Sequence, residues 1–375
     1  MFVSGGDASR VAHDRLPSRR VMDVTGFMSM SFGIVLPLWN LTDGPPDLLE
    51  RAVGEIGLEH LTAPVVTGPV TQFRLSERVD TPAWRTEGGW HYTPDKARYA
   101  GALRPHVAQW VARRRPLEQL MDFARKHALR VFLRVDLTRV PTLAQGRPDL
   151  CCRDAWGAAM SADPLCASQP QVRELARETL DELAGYQPAG FQFESVAPCS
   201  ADHPLAWTRG AERELSACFC SACREGALRA GFEQDELAAL IHAVQRRIRA
   251  AAAGATSADA TLSEGLDRYS RAVDTEGWLA RLRAHVAPRP FLSAARPRRG
   301  ANESAESSYG EASSWRRLQC WRPAFALASD LVRRVAELTA SGARDFDFEG
   351  LDEAPDEALD WLRQAVRYAR REAPL

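Results

Sequence analysis

Short runs of branched and aromatic residues alternate along the chain with longer stretches that repeat apolar positions at helical spacing. This alternation predicts a parallel sheet covered by helices. The predicted strands are residues 33–38, 61–66, 130–136, 190–194, 290–295, 324–329 and 344–349. The predicted helices are residues 46–56, 116–128, 171–184 and 356–371.

The number and order of these elements favour one fold class. Seven strands with helices between them are typical of an α/β fold, a (β/α)8 TIM-type barrel that is incomplete or irregular. The loops after strands two to five are long, and loops in that position build the catalytic face of such barrels. A doubly wound open sheet is the alternative fold. The sixth strand has an alternative assignment too, because residues 325–338 carry a 3.6-residue apolar period that predicts a helix.

The chain divides into a short extension and one large domain. Residues 1–27 are polar and arginine-bearing, and we expect them to be disordered. Residues 28–375 form a single barrel domain in this interpretation, with inserted segments at about 67–115, 137–168, 195–288 and 296–320. We expect a cytoplasmic protein, with export as the alternative because residues 18–20 resemble part of a twin-arginine signal.

Polar residues alternate with phenylalanines in two of the predicted strands, which read FQFE at 191–194 and FDFE at 346–349. Because side chains alternate across a strand, the phenylalanines share one face and the polar residues the other. We expect the phenylalanines to pack under the helices and the polar side chains to point into the mouth of the barrel. Arg134 and Asp136 share the corresponding face of the third strand.

These inward polar groups suggest chemistry at the strand ends. Buried charges are costly unless they are paired or functional. Two facing carboxyl groups are what glycosidic bond cleavage requires, and Glu194 and Glu349 are the candidates. Arg134, Asp136 and Asp347 are candidate substrate-binding residues. The alternative is a structural ion network in which the glutamates are polar strand caps.

Aromatic residues near the predicted mouth fit the same chemistry. Flat indole rings suit the apolar C–H faces of sugars. Trp39 and Asn40 directly follow the first strand, and Trp207 lies in the loop after the fourth, so we expect these three to contact substrate. Packing beneath a loop is the alternative for each tryptophan. His60 enters at the opposite end of the barrel and is expected to be structural.

A cysteine cluster of spacing C-x-C-x2-C lies at Cys218, Cys220 and Cys223. Three thiolates at this spacing can wrap a tetrahedral zinc ion if a fourth ligand comes from elsewhere. Cys199 is the nearest candidate for that ligand, followed by Cys166, Cys152 and His203. A structural zinc that staples the loop after strand four is the leading interpretation. Reduced cysteines packed in a helix are the alternative.

The strand-end glutamates and the cysteine spacing both resemble features of known families. The layout resembles (β/α)8-barrel glycoside hydrolases of the large retaining clan, whose acid/base follows strand four and whose nucleophile follows strand seven. That resemblance implies acid/base chemistry at Glu194 and a nucleophile at Glu349; the clan usually has asparagine where this chain has Phe193. The Cys-x-Cys-x2-Cys element is similar to that of family 42 β-galactosidases, where it helps bind zinc, and of uncharacterised glycosidase-like bacterial barrels.

Composition narrows the function classes. The 375 residues carry 48 basic and 49 acidic side chains, and a net charge of −1 provides no positive field for nucleic acid or an anionic membrane. No apolar run is long enough to span a bilayer. The lack of a phosphate-cradling glycine motif and the scarcity of lysine argue against nucleotide or Schiff-base cofactors, so no organic cofactor is expected.

The leading hypothesis is therefore a glycoside hydrolase that acts on a carbohydrate through Glu194 and Glu349. A catalytically silent barrel that binds a glycan or a protein partner is the alternative from another class. A metal-dependent hydrolase is a third reading, in which chelation would remove activity. The sugar, the linkage and the oligomeric state are not determined by the sequence.

Overall fold

The computed structural model describes residues 30–44, 47–74, 83–112, 114–160, 164–194, 211–255, 260–273, 275–289, 291–294, 306–308, 315–320 and 324–372. The strands are β1 (Ser31–Val35), β2 (His60–Thr67), β3 (Val70–Phe73), β4 (Ala83–Thr86), β5 (Gly89–Trp90), β6 (Arg130–Val135), β7 (Gly190–Glu194), β8 (Phe291–Ala294), β9 (Glu306–Ser308), β10 (Trp315–Gln319) and β11 (Asp345–Glu349).

The helices alternate with these strands as the sequence pattern predicts. They are α1 (Asn40–Asp43), α2 (Leu48–Arg51), α3 (Pro116–Lys126), α4 (Pro141–Gly146), α5 (Pro170–Ala184), α6 (Glu212–Ser216), α7 (Ser221–Arg229), α8 (Gln234–Ala252), α9 (Ala260–Val273), α10 (Thr275–Val286), α11 (Ala328–Ala340) and α12 (Glu357–Glu372). A π-helical turn, Ala52–Ile56, continues α2, and short 3-10 turns lie at Lys96–Arg98, Gln109–Val111, Leu137–Arg139 and Pro148–Leu150.

One mostly parallel sheet organises the domain. Its strand order is β8-β7-β6-β2-β1-β11-β10-β9, and every neighbouring pair is parallel except β10 with β9. Chain order runs backward from β8 to β1 and then resumes at the end of the chain with β11 and β10. This cyclic order is that of a barrel and not that of a doubly wound sheet, which grows outward from its first strand in both directions.

Contacts across the concave face show that the sheet is curled. Gln192 of β7 donates a hydrogen bond of 2.8 Å to Asp347 of β11, although β6, β2 and β1 lie between these strands. In a flat sheet four strand spacings would separate the two residues by about 19 Å. The described strands therefore form a curled, barrel-like sheet, and the open-sheet alternative is wrong.

Side-chain alternation follows the predicted assignment. Phe191 and Phe193 of β7, and Phe346 and Phe348 of β11, are fully buried on the convex face among helical residues. Phe193 meets Trp278 of α10 edge to face, with ring centroids 6.0 Å apart. The convex face thus supplies the apolar core, which leaves the concave face to polar side chains.

Two strand assignments made from the sequence need correction. Residues 324–329 are not a strand: the segment leads into α11, as the alternative helical period indicated. The missing strand is β10, which lies inside the segment 296–320 that was assigned to an insertion. Its sequence WRRLQ has a single aliphatic residue, Leu318, because its concave face carries Arg317 and Gln319, so the apolar pattern is weak.

Within the described residues, no helix has both the length and the apolar character needed to cross a bilayer.

Gly33 of β1 leaves the space that the curl requires. A Cβ added there would overlap the imidazole ring of His60 and lie 2.5 Å from the His60 carbonyl oxygen. We expect Gly33→Ala to lower the free energy of unfolding by about 1–3 kcal/mol through overpacking, measured by urea denaturation. Gly54→Ala is the control, because a Cβ there meets nothing within 4 Å. Equal stability of the two variants would contradict the close packing at β1.

Candidate active site

The carboxyl ends of the parallel strands surround a cavity of about 270 Å³. This volume is near the lower end of the range for small-molecule sites. Its walls carry charged, polar, aromatic and aliphatic groups: Val35, Pro37, Trp39, Pro64, Val66, Thr67, Gly68, Pro69, Val70, Gln72, Arg134, Asp136, Glu194, Arg317, Gln319, Glu349, Gly350, Asp352 and Glu353. The sequence-predicted residues Trp39, Arg134, Asp136, Glu194 and Glu349 are among them.

Two arginines bridge the two candidate glutamates. Nη1 of Arg134 lies 2.6 Å from Oε1 of Glu349 and 3.4 Å from Oε1 of Glu194. Arg317 pairs with the same two oxygens, at 3.2 Å from Glu349 and in closer contact with Glu194. The two Oε1 atoms are therefore no farther apart than the sum of the Arg134 distances, 6.0 Å. The pair that the sequence predicted does lie together.

The two glutamates differ in accessibility. The Glu349 side chain is 21% exposed and that of Glu194 is 10% exposed. The second carboxylate oxygen of Glu349 accepts a hydrogen bond of 3.4 Å from Gln319. Glu349 is thus the more accessible carboxylate of the pair.

Asp347 lies beneath the pair and is fully buried. It accepts hydrogen bonds from His60 Nε2 at 3.0 Å, Thr62 Oγ1 at 3.0 Å and Gln192 Nε2 at 2.8 Å. Burial acts to raise the pKa of Asp347, but the His60 interaction and the Gln192 hydrogen bond outweigh it, so the pKa lies below its usual value. The structure therefore places Asp347 below the cavity, where its hydrogen bonds connect β11 to β2 and β7. His60 is one of these partners and has a structural role.

Trp39 forms one wall of the cavity. Its ring stacks on Trp84 at a centroid distance of 4.3 Å, and its indole Nε1 donates a 2.6 Å hydrogen bond to Gln72 Oε1. Both contacts fix the indole, but only 2% of Trp39 is exposed, so packing within the cavity wall describes it better than a sugar-stacking platform does. Asn40, the next residue, is buried behind this wall and donates to Asp352 at 2.5 Å.

Asp352 is a cavity residue that the sequence analysis missed. It follows β11 by three positions, after the left-handed Gly350, and is almost fully buried. Burial raises the pKa of Asp352, against the opposing effects of hydrogen bonds from Gln72 and Asn40 and the charge of Arg74. Its position just after a strand with an inward glutamate was the available sequence signal. Arg317 was missed because β10 was missed.

The strand that carries Glu349 pairs directly with β1. Counted along the chain, β11 is the seventh strand of the parallel set in the described residues, because the missed strand β10 takes the place of the predicted strand at 324–329. Glu349 is in the cavity, because neighbouring strand ends open into the same space. Trp207 lies outside the described residues.

Four buried cysteines form a second cluster away from the cavity. The Sγ atoms of Cys166, Cys218, Cys220 and Cys223 all lie within 4.8 Å of one another. The pairs Cys166–Cys223 and Cys166–Cys218 are 3.5 and 3.8 Å apart, close to the sulfur spacing of about 3.8 Å in a tetrahedral zinc–thiolate site. The set could bind a metal ion. Its fourth member is Cys166, whereas Cys199 and His203 lie outside the described residues.

The surroundings of the cluster also suit thiolate ligands. Backbone N–H groups of Arg153 and Ser168 each point at a cluster sulfur at 3.4 Å, as in sites where such donors support metal-bound thiolates. Four thiolates this close together would repel one another, so a cation is needed before all four groups can ionise together. The cluster joins the segment after β6 to the insertion after β7.

Known structures share this fold. No protein-family model and no curated protein sequence matches the chain. An α-L-fucosidase, isoenzyme 2, from Paenibacillus thiaminolyticus superposes with a TM-score of 0.55 at 11% identity, covering 91% of this chain and 49% of its own. A β-galactosidase from Bacillus circulans gives 0.52 at 10% identity, covering 90% and 55%.

A β-galactosidase from the haloarchaeon Halorubrum lacusprofundi gives a TM-score of 0.52 at 16% identity, covering 91% of this chain and 58% of its own. The chain therefore spans between about half and three fifths of the length of these structures. Identities this low show the fold alone, which is a glycoside-hydrolase-like barrel fold.

The hydrogen bonds to Asp347 predict a pH-dependent contribution to stability. Because its folded pKa is lowered, the contribution is present above the usual aspartate pKa and is lost progressively as the pH falls from there through the lower folded pKa. Asp347→Asn should therefore cost about 1.5–3 kcal/mol of unfolding free energy at neutral pH and less at about pH 3, measured by urea denaturation. Asp122→Asn, in an exposed ion pair with Arg125, is the control. A cost that is equal at both pH values would contradict the lowered pKa.

Proposed function

We propose that this chain is a glycoside hydrolase that cleaves a glycosidic bond in the cavity at the strand ends. The observation that carries the proposal is the carboxylate pair Glu194 and Glu349, which share two arginines inside a cavity large enough for a sugar ring. Oxocarbenium-like transition states are stabilised by carboxylates placed in this way. The curled fold supports the proposal, because it brings the ends of distant strands together.

The accessibility of Glu349 supports a retaining mechanism, because a retaining enzyme needs a carboxylate that can attack the anomeric carbon. The Oε1 atoms of the pair lie at most 6.0 Å apart, so Glu194 is close enough to act on charge at the same carbon. Glu349, the more exposed of the two, is the proposed nucleophile. Glu194, more deeply buried between two guanidinium groups, is the proposed stabiliser of positive charge on the sugar.

The cavity wall supports a carbohydrate as the ligand. Pro37 and Val66 line it with apolar groups, while Arg134, Asp136 and Gln319 supply polar groups for hydroxyls. An apolar wall beside convergent polar groups matches the two kinds of surface on a sugar ring. The fucosidase and β-galactosidases of similar fold suggest α-L-fucosides and β-D-galactosides as the first substrates to test, with α-D-galactosides as the anomeric comparison.

A catalytically silent, glycan-binding barrel is the second candidate. The observation that favours it is the complete ion pairing of the two glutamates, which is also what a structural network would show. Phe193 stands where the retaining clan usually has asparagine before its acid/base residue. This candidate predicts binding of a glycan without turnover.

We also propose that Cys166, Cys218, Cys220 and Cys223 hold a structural zinc ion. Four thiolates close the coordination sphere and leave no position for substrate, which is the pattern of structural sites. The cluster lies within a separate core of α6–α9 and the segment after β6. Zinc would therefore staple two long insertions together without taking part in the chemistry of the cavity.

Glu349→Gln tests the proposed nucleophile. We expect the substitution to lower kcat/KM on aryl α-L-fucosides or aryl galactosides by at least about a hundredfold, because the neutral amide cannot form the glycosyl intermediate. Glu337→Gln, in an exposed ion pair with Arg334, is the control and should keep wild-type activity. Wild-type protein that binds these sugars but cleaves none would favour the silent barrel.

Cys223→Ser tests the metal site. Purified wild-type protein should contain about one zinc ion per chain, and the variant should lose it and unfold several degrees lower, because metal binding contributes to folding. Cys320→Ser is the control for a hydroxyl at a buried cysteine outside the cluster, and it should keep the zinc. Metal content follows from elemental analysis, and stability from thermal melting. Wild-type protein without zinc after expression in zinc-supplied medium would contradict the site.

A further inference from the structure

Cleavage of a glycosidic bond requires a proton for the leaving oxygen, and neither glutamate of the pair is well placed to supply it. Each lies in ion-pair distance of both Arg134 and Arg317. Protonating Glu194 or Glu349 would remove a counter-charge that both guanidinium groups share, which is costly in a partly buried site. The proton donor is therefore expected to be a different carboxyl group of the same cavity.

Asp352 is a cavity carboxyl group whose hydrogen bonds within the described part of the chain come from neutral groups. Asn40 Nδ2 and Gln72 Nε2 each donate to its Oδ2 at 2.5 Å. Arg74 acts on it through its charge and not through a hydrogen bond among those of the described residues. Protonation of Asp352 therefore gives up less electrostatic stabilisation than protonation of a carboxylate that is paired with a guanidinium group.

The surrounding amides fix the orientation of Asp352. The indole N–H of Trp39 can only donate, so Gln72 must turn Oε1 toward it and Nε2 toward Asp352. Both amide donors then occupy Oδ2, and a proton on the neutral acid belongs on Oδ1. A carboxyl group locked in this way beside an accessible Glu349 has the fixed geometry that a proton donor needs.

Burial and the charge of Arg74 act on Asp352 in opposite directions. Arg74, whose guanidinium is buried and attracted also to Asp43, favours the ionised form. Glu349 and Glu353 line the same cavity, and the nearby Cys320 thiol is fully buried, which raises its pKa. Burial is the largest influence, and it raises the pKa of Asp352. This direction agrees with the geometry.

We propose that Asp352, in place of Glu194, is the proton donor of the hydrolase site; this inference rests on the proposed function. In the first step a Glu349 oxygen forms a bond to the anomeric carbon while the bond from that carbon to the leaving oxygen breaks. The electron pair of the broken bond stays on the leaving oxygen, which takes the Asp352 proton. Water then attacks the anomeric carbon, Asp352 accepts its proton, and the Glu349 carboxylate is released.

The experiment compares leaving groups. Wild type, Asp352→Asn, Glu194→Gln and the control Glu337→Gln are assayed on phenyl and dinitrophenyl glycosides of whichever sugar, α-L-fucose or α- or β-D-galactose, the wild type cleaves. Dinitrophenolate leaves without protonation, whereas phenolate needs an acid. Asp352→Asn keeps an oxygen for the two amide donors, so the folded structure is expected to persist.

We expect Asp352→Asn to lower kcat/KM by at least about a hundredfold on the phenyl glycoside and by less than about tenfold on the dinitrophenyl glycoside. It should also abolish the basic limb of the pH profile for the phenyl substrate. Glu194→Gln should lower kcat/KM by the same factor on both glycosides. Equal losses for Asp352→Asn, or a leaving-group dependence in Glu194→Gln, would overturn the proposal and return the acid role to Glu194.

A second measurement does not depend on turnover. Infrared difference spectra between wild type and Asp352→Asn at neutral pH should show the C=O band of a protonated carboxyl group only in the wild type. Absence of that band would overturn the proton-donor role, even if the protein is an active hydrolase. A wild type that shows the band but cleaves neither aryl glycoside would instead contradict the hydrolase function on which the proposal rests.

Discussion

The buried carboxylate of Asp347 is the interaction on which the rest of the structure depends. It lies on β11 and binds His60 and Thr62 of β2 and Gln192 of β7, and so ties together strands that are far apart in the sheet order. A sheet that curls far enough for these bonds to form also brings its strand ends together. Without the curl, Glu194 of β7 and Glu349 of β11 would be too far apart to share a cavity.

The cavity shows how the same residue type serves different roles in different surroundings. Asp347 is held ionised by hydrogen-bond donors, Glu194 and Glu349 are paired with arginines, and Asp352 is buried and hydrogen-bonded to two neutral amides. Enzymes divide acid and base roles between carboxyl groups by placing them in environments that favour opposite charge states. The cysteine cluster lies apart from this chemistry and serves the insertions around it.

Much of this arrangement could be predicted from the sequence. The alternation of FQFE and FDFE placed Glu194 and Glu349 on the concave face because a strand repeats every two residues. β10 could not be found in this way, since its polar face is as rich in charge as a surface loop, and Arg317 was lost with it. Cys166 was named only behind Cys199 as a fourth ligand, because folding, not chain distance, decides which cysteine reaches the cluster. The surroundings of Asp352 could not be predicted, because Asn40 and Gln72 lie far away in the chain.

Covalent trapping of the nucleophile tests the central claim most directly. Fluorinated mechanism-based glycosides of L-fucose and D-galactose accumulate the glycosyl intermediate of retaining enzymes, and mass spectrometry of the digested protein then locates the labelled residue. The account predicts one sugar per chain, attached to Glu349. Labelling of a different residue would contradict the assignment of the nucleophile, and absence of any label under conditions where the wild type turns over would contradict the retaining mechanism.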